Sequence, residues 1–303
     1  MKETFIEKKF NRGSLALIQQ INAILANYEA QGFDLSLRQL YYQLVSKNVI
    51  ANTEQSYKAT GELVAGARLA GLIDWDMIVD RGRYTSANSH WENPRDFVQN
   101  TAQTFKIDLW EGQDNHVEVM VEKQALEGVL EPVCAKLDIA FTSNKGYSSV
   151  SALYECGKRL KERMAWGKSV IIFYLGDHDP SGIDMTRDVL ARLAMFSGCN
   201  QTADWRDGDD TGLLQVKRIA LNMPQIRQYN PPENPAKITD SRYAGYVSKF
   251  GESSWELDAL EPKVLANLVE QNVRALMDVE LWEARAKLQA DGRAQLIEHA
   301  SKL

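Results

Sequence analysis

Cysteine is scarce: Cys134, Cys156 and Cys199 are the only three in 303 residues, widely spaced and without a CxxC pair. That count and spacing exclude a disulfide framework and a zinc cluster, and leave buried thiols as the reading. Long apolar runs are missing too. The longest uncharged one, Val170–Leu175, has strand length and falls far short of the roughly 20 residues a membrane helix needs. The first residues, Met-Lys-Glu-Thr-Phe-Ile-Glu-Lys-Lys, lack the apolar core of a secretory signal, so a cytoplasmic chain with no membrane partner is expected. Positive charge is not in surplus: the formal net charge is −6, which excludes partners held by bulk positive charge. There is no internal repeat, no low-complexity tract and no Gly-rich nucleotide-binding pattern.

What is present is an ordinary globular composition, 25% charged and 44% hydrophobic, long enough for two domains. Charge is unevenly spread. Residues 1–90 hold 10 Lys/Arg against 9 Asp/Glu, while the remainder holds 25 against 32. A phosphate-binding surface is therefore local and belongs to the N-terminal third.

Helical spacing over 14–30, with Ser14 as N-cap, gives a first helix. Ser36 caps a second, Leu37–Ser46, and Asn52-Thr53-Glu54 opens a third that runs to Gly71. Alternation around Trp75, Met77 and Val79 then reads as a β-hairpin. Three helices followed by a hairpin is the order of a winged helix, expected over 1–90; a helical module used for internal contacts has the same pattern. Residues 91–116 read as a connector with a short helix, Arg95–Thr104. From Val117 strands alternate with helices. Val117–Val121, Ile139–Ser143, Ser169–Leu175 and Val216–Leu221 are strands, and 124–137, 148–165 and 183–196 are helices. That alternation implies a mainly parallel α/β sheet over 117–230, with ligands outside the strands' carboxyl ends. Asn230-Pro-Pro-Glu-Asn-Pro235 reads as a stiff loop, and 231–303 as a mostly helical C-terminal extension. The fold class is thus α/β, with an N-terminal winged helix and a helical tail.

Two constellations carry chemistry. The first is acidic. Strand Val117–Val121 ends in Glu122-Lys123, and strand Ser169–Leu175 ends in Gly176-Asp177-His178-Asp179-Pro180-Ser181-Gly182. If the strands are neighbours, Glu122, Asp177 and Asp179 converge and need a counter-charge. A hard divalent cation with oxygen ligands, Mg²⁺ with Mn²⁺ as substitute, fits such a set. Turn chemistry at strand ends is the plainer account of the same residues. His178 reads as a phosphate contact or a solvent-facing spacer, and Asp184 as a helix-start carboxylate.

The second is Arg38-Gln-Leu-Tyr-Tyr42. Arg38 and Tyr42 lie four apart on one helix face and can meet. A phenol beside a guanidinium suits attack on a phosphodiester, with Arg38 favouring phenolate and holding phosphate. Taken alone, the segment is also an amphipathic helix with a surface Tyr and Arg.

Together, the glutamate strand, the GDHDPSG turn and the intervening βα units resemble a Toprim domain. Arg38–Tyr42, set in a winged helix ahead of it, resembles the catalytic segment of the topoisomerase VI A subunit and of the related meiotic double-strand-break transesterase. The resemblance implies Tyr42 as a nucleophile forming a 5′-phosphotyrosyl link, Arg38 as its support, and Mg²⁺ on Glu122, Asp177 and Asp179. It implies double-stranded DNA as substrate, a nucleoid-associated location, and a homodimer in which the tyrosine of one protomer serves the metal of the other. Without an ATPase segment, strand passage would need a separate ATPase subunit, as in a reduced, prophage or mobile-element form. Lys58, Arg68, Arg81, Arg83 and Lys145 are candidate DNA contacts. Two alternatives remain at this point: a Toprim-type nuclease that cuts with metal-activated water, and a non-catalytic DNA-binding component. A primase is disfavoured by the missing zinc module.

Overall fold

A computed structural model describes residues 1–79, 88–144, 149–204 and 212–302. The N-terminal unit is built from α1 (Arg12–Glu29), α2 (Leu37–Ser46) and α3 (Glu54–Leu69). Helix α1 starts two residues earlier than expected, because the Asn11 side chain, not that of Ser14, caps it and accepts from the Ser14 N–H. Helix α2 has a full capping box. The Ser36 hydroxyl accepts from the Gln39 N–H, and the Gln39 side chain accepts in return from the Ser36 N–H. The three helices close over one core that includes Ile21, Leu25, Tyr28, Leu40, Leu44 and Val64.

The expected hairpin after α3 does not form among the described residues: 72–79 contains no strand, and Ile78 makes an isolated parallel bridge with Leu35. Leu35 pairs with the 77–79 segment, its N–H donating to Met77 O at 3.1 Å and its carbonyl accepting from Val79 N at 2.9 Å. Residues 80–87, with Arg81 and Arg83, lie outside the described residues. Lys145 also lies outside them.

After α4 (Pro94–Ala102) comes the sheet: β1 (Asn115–Val121), α5 (Glu127–Lys136), β2 (Ala140–Ser143), α6 (Val150–Ala165), β3 (Ser169–Leu175), α7 (Pro180–Ser197), β4 (Thr202–Asp204) and β5 (Leu214–Ala220). The five strands are parallel, in the order β2-β1-β3-β5-β4. Both faces are covered, as a parallel sheet requires. Val117, Val119 and Val121 of β1, with Ile171, Phe173 and Leu175 of β3, face α5 and the C-terminal helix Pro262–Arg274. Met120, Ile172 and Tyr174 face α6 and α7.

The remaining chain forms α8 (Met223–Tyr229), β6 (Glu233–Pro235), α9 (Tyr243–Phe250), β7 (Ser253–Trp255), α10 (Pro262–Arg274) and α11 (Val279–Ala300). The proline-rich loop thus supplies an edge strand: β6 pairs antiparallel with β7. Helix α10 is no appendage. Leu265, Val269 and Val273 complete the core beneath β1 and β3. Among the described residues, no helix is long and apolar enough to cross a membrane.

Candidate active site

The chain leaves β1 toward β2 on one side and leaves β3 toward β4 and β5 on the other. The β1/β3 boundary is therefore a topological switch point, where open α/β sheets leave a crevice at the strands' carboxyl ends. Register pairs Val121 with Leu175, so Glu122 and Gly176 emerge side by side. The Glu122 carboxylate accepts the Asp177 N–H at 2.9 Å. A methyl group at Gly176 would stand 2.7 Å from Glu122 Oε2, so glycine is what allows this approach. Asp179 caps α7, its Oδ1 accepting from the Ser181 hydroxyl at 2.9 Å and from the Gly182 N–H.

Arg218, on β5, fixes the 176–179 loop from below. Its buried guanidinium donates to Gly176 O at 2.7 Å, to Asp177 O, to Gly182 O at 3.0 Å and to Thr186 Oγ1 at 3.1 Å. His178 is neither a spacer nor a phosphate contact. It is 1% exposed, and its ring packs against Tyr246, Phe250 and Trp255. The Tyr246 hydroxyl lies 2.7 Å from Nδ1. Burial, with Arg218 nearby, holds His178 down at about 4, so the ring is neutral at neutral pH.

The segment after β7 folds over this loop. His178 and Trp255 exchange backbone hydrogen bonds of 2.9 Å in both directions, and the Leu257 N–H donates to Asp177 Oδ1 at 2.7 Å. Glu256 and Asp258 are thereby brought to Asp177, and the three carboxylates offer oxygens within 4.8 Å of one another, a group that can hold a metal ion. Two cations enter the same cluster. Lys123 Nζ pairs with Asp177 at 2.8 Å, with Asp258 at 3.0 Å and with Glu256. Arg38 pairs with Glu256 and Asp258, each at 2.9 Å.

Burial opposes the Lys123 charge, but Asp258, Asp177 and Glu256 outweigh it and keep the ammonium protonated. Glu256 is likewise held below its ordinary range: burial works against its charge, and Lys123 and Arg38 prevail. Asp177 goes the other way. Burial and three neighbouring carboxylates push it up, against Lys123. Glu122 is raised as well, chiefly by burial. Among the described residues, neither Glu122 nor Asp179 makes an ion pair.

Tyr42 stands beside this cluster. Its hydroxyl is 3.5 Å from Arg38 Nη2, so the expected meeting of the two side chains occurs. The phenol is only 6% exposed and packs with Tyr41, Val45 and Ala259, at the rim of a 240 Å³ cavity also lined by Asn52, Thr53 and Tyr57. Arg38 does pull the phenol toward phenolate, as expected, but it is outweighed. Burial, then Glu256 and Asp258, push Tyr42 up to about 12, because the Arg38 charge is matched by those carboxylates. The other candidates are placed elsewhere. Lys58 pairs at 2.7 Å with Glu54 on the exposed face of α3. Arg68 is turned inward, donating to Trp75 O and, at 2.7 Å, to Ile78 O, which fastens the end of α3 to the following segment.

Sequence reasoning missed Glu256, Asp258 and Arg218. The first two repeat the spacing of Asp177 and Asp179, two carboxylates separated by one residue just after a strand. Arg218 was visible only as a cation inside a strand.

No protein-family model matches the chain. No curated protein matches it either.

Proposed function

We propose that the protein is a divalent-metal-dependent DNA-cleaving enzyme that uses Tyr42 as nucleophile, in the manner of the topoisomerase VI A subunit. One observation carries the reading: Arg38, one helical turn from Tyr42, is ion-paired to Glu256 and Asp258, the segment that also donates a backbone N–H to Asp177. A candidate nucleophile thus stands one helical turn from an arginine that is ion-paired to the carboxylates at the switch point. The donor chemistry fits Mg²⁺, which takes a few carboxylates plus substrate phosphate. The resemblance assigns the ion to Asp177 with Glu122 and Asp179, whereas the carboxylates whose oxygens gather within 4.8 Å of one another among the described residues are Asp177, Glu256 and Asp258, so Asp177 is the ligand common to both sets. When bound, the ion offsets negative charge on the phosphate oxygens.

The chain's own residues do the rest. Arg38 orients the phenol and the incoming phosphate. The Tyr42 oxygen attacks phosphorus, the bond to the 3′ oxygen breaks, and a 5′-phosphotyrosyl link and a 3′-hydroxyl result. The phenol proton leaves to a carboxylate or water, and the 3′ oxygen departs protonated. Duplex DNA is the substrate in this reading, with a second copy of the chain and a separate ATPase as partners for strand passage.

A hydrolytic nuclease is the second reading, favoured by the burial and raised pKa of Tyr42. The test is supercoiled plasmid in Mg²⁺, quenched with denaturant, with and without protease. Transesterification leaves protein-linked DNA that Tyr42→Phe abolishes. Free 5′-phosphate ends that survive Tyr42→Phe would select the nuclease, and intact plasmid under all conditions would reject both.

A further inference from the structure

A 790 Å³ cavity stands outside the carboxyl ends of β3 and β5, and its lining includes neither Tyr42 nor any of the five carboxylates of the crevice. Its volume is that of a small-molecule site, about 300–1,000 Å³. The first turns of α7 and α8 and one side of α9 border it. Pro180 and Ile183 come from α7, Met223 and Pro224 from α8, and Tyr246 and Phe250 from α9. These make apolar walls that include two aromatic rings. Asn222, Ser241 and Ser248 add an amide and two hydroxyls to the same lining.

The walls are fixed in advance. The Tyr246 hydroxyl donates to His178 O at 2.9 Å and to Ser253 O at 3.0 Å, and it lies 2.7 Å from His178 Nδ1. That fastens α9 to the 176–179 loop and to β7, so a ligand meets rings already in place and loses less to ordering them. His178 lines the cavity as well, so the loop that carries Asp177 and Asp179 borders both the cavity and the crevice.

The charge of the lining is opposite in sign to that of the chain. Asp184 pairs with Arg187 at 2.8 Å and with Arg242 at 3.0 Å, and Arg242 also pairs with Asp240 at 3.2 Å. Two acids and two arginines balance there. Lys249, exposed on α9, makes no ion pair among the described residues, so one unmatched cation remains beside the cavity in a chain of net charge −6. Ring walls, hydrogen-bonding groups and one such cation suit a ligand with a flat, polar-edged ring and an anionic group. A nucleotide has these parts: the base face stacks on aromatic side chains, the base edge takes hydrogen bonds, and the phosphate pairs with an ammonium.

We propose that this cavity is a nucleotide-binding site, in which the base enters among α7, α8 and α9 and Lys249 meets the phosphate. The inference goes beyond the cleavage reading and does not depend on it. The nucleotide comes from solution or from a strand with an unpaired base, since a base stacked in a duplex cannot enter a cavity.

Isothermal titration calorimetry on the full chain tests it, with dAMP and deoxyadenosine as probes. Gly245 lines the cavity within α9, and a Cβ built there meets no atom within 4 Å, so the ring of Gly245→Phe grows into open space. Wild type should bind dAMP, and Gly245→Phe should lose about tenfold or more of that affinity at an unchanged melting temperature. Lys249→Gln should weaken dAMP by about threefold, the size of an exposed ion pair, and leave deoxyadenosine unaffected. No binding of dAMP by wild type, or equal binding by wild type and Gly245→Phe, overturns the site. Equal affinity for dAMP and deoxyadenosine, with no effect of Lys249→Gln, overturns the nucleotide assignment. If Gly245→Phe melts early, Lys249→Gln decides alone. Fluorescence anisotropy in EDTA then identifies the source. A duplex with one unpaired adenine that binds about tenfold more tightly than a fully paired one, with the preference lost in Gly245→Phe, makes the ligand part of a strand. Equal affinity for the two duplexes, with dAMP still bound, makes it a free nucleotide. None of these readouts involves cleavage, so a wild type that forms no adduct removes the proposed function and leaves this inference standing.

Discussion

Glu118 is the residue whose burial is best compensated. It lies wholly inside, on the α6 side of β1, where Arg159 grips it through Nε at 2.9 Å and Nη2 at 2.8 Å and His116 Nε2 adds a contact at 2.9 Å. Burial opposes ionisation, but Arg159 and His116 outweigh it and bring the group down to about 2. A carboxylate depressed in the folded state contributes stability that is complete above its unfolded value and is lost as pH falls through its folded one. Denaturant titrations should therefore show stability falling between about pH 4.5 and about pH 2, by about 3 kcal/mol for this group. Glu118→Gln should lower stability at pH 7 by a similar amount and flatten that acid limb; an unchanged limb would place the titration elsewhere. Gly176 offers a second test. In Gly176→Ala the new methyl meets Glu122 Oε2 at 2.7 Å and the buried Tyr174 ring at 2.9 Å. Something must move, and overpacking of this kind costs about 1–3 kcal/mol. Since the Glu122 carboxylate is the flexible neighbour, Mn²⁺ affinity should fall together with the melting temperature, as calorimetry would show.

At the scale of elements, the tyrosine helix is the clearest case of local sequence deciding structure. Ser36 and Gln39 form a capping box that places Leu37–Ser46 in the register expected from the sequence. Replacing Ser36 by Ala removes one half of the box and should cost about 1 kcal/mol, within the 0.5–2 kcal/mol of such caps, measured by urea unfolding. Because α2 carries Arg38 and Tyr42, adduct formation should fall more than the stability loss alone would cause. The parallel strands were legible for the same kind of reason. Val117–Val121 and Ser169–Leu175 are dense in β-branched and aromatic residues, and both end in acidic turns. The short elements β4, β6 and β7 were not legible. Each is three residues long, too short for a period-two pattern, and β6 is Glu-Asn-Pro, which pairs with β7 and accepts a hydrogen bond from Asn52 of the N-terminal unit. The roles of Glu256 and Asp258 were hidden for a related cause. They join Asp177 across about 80 residues of chain, through a docking that no local pattern announces.

The whole molecule sets an electrostatic problem for any DNA substrate. The chain carries a formal charge of −6, and the crevice gathers Glu122, Asp177, Asp179, Glu256 and Asp258 against Lys123, Arg38 and Arg218. A phosphodiester brought to that edge meets five carboxylates against three cations, a formal surplus of negative charge that the upward shifts of Asp177 and Glu122 reduce. Composition alone foretold half of this, since it excluded binding by bulk positive charge, but it located the basic surface in the N-terminal third. Among the described residues there, Arg68 is turned inward and Lys58 is matched by Glu54. Affinity for DNA should therefore depend on a divalent cation rather than on many phosphate–lysine contacts, and its dependence on monovalent salt should be shallow. Fluorescence anisotropy with a labelled duplex separates the cases. Ca²⁺, which takes carboxylate oxygens, should tighten binding by about tenfold over EDTA, or about 1.4 kcal/mol. In Glu122→Gln the difference should shrink toward nothing, because removing a carboxylate takes away both the repulsion and a ligand for the ion that relieves it. Equal affinity in Ca²⁺ and EDTA for the wild type would mean that DNA, if bound, is held away from this crevice, and the acidic edge would then have no part in binding it.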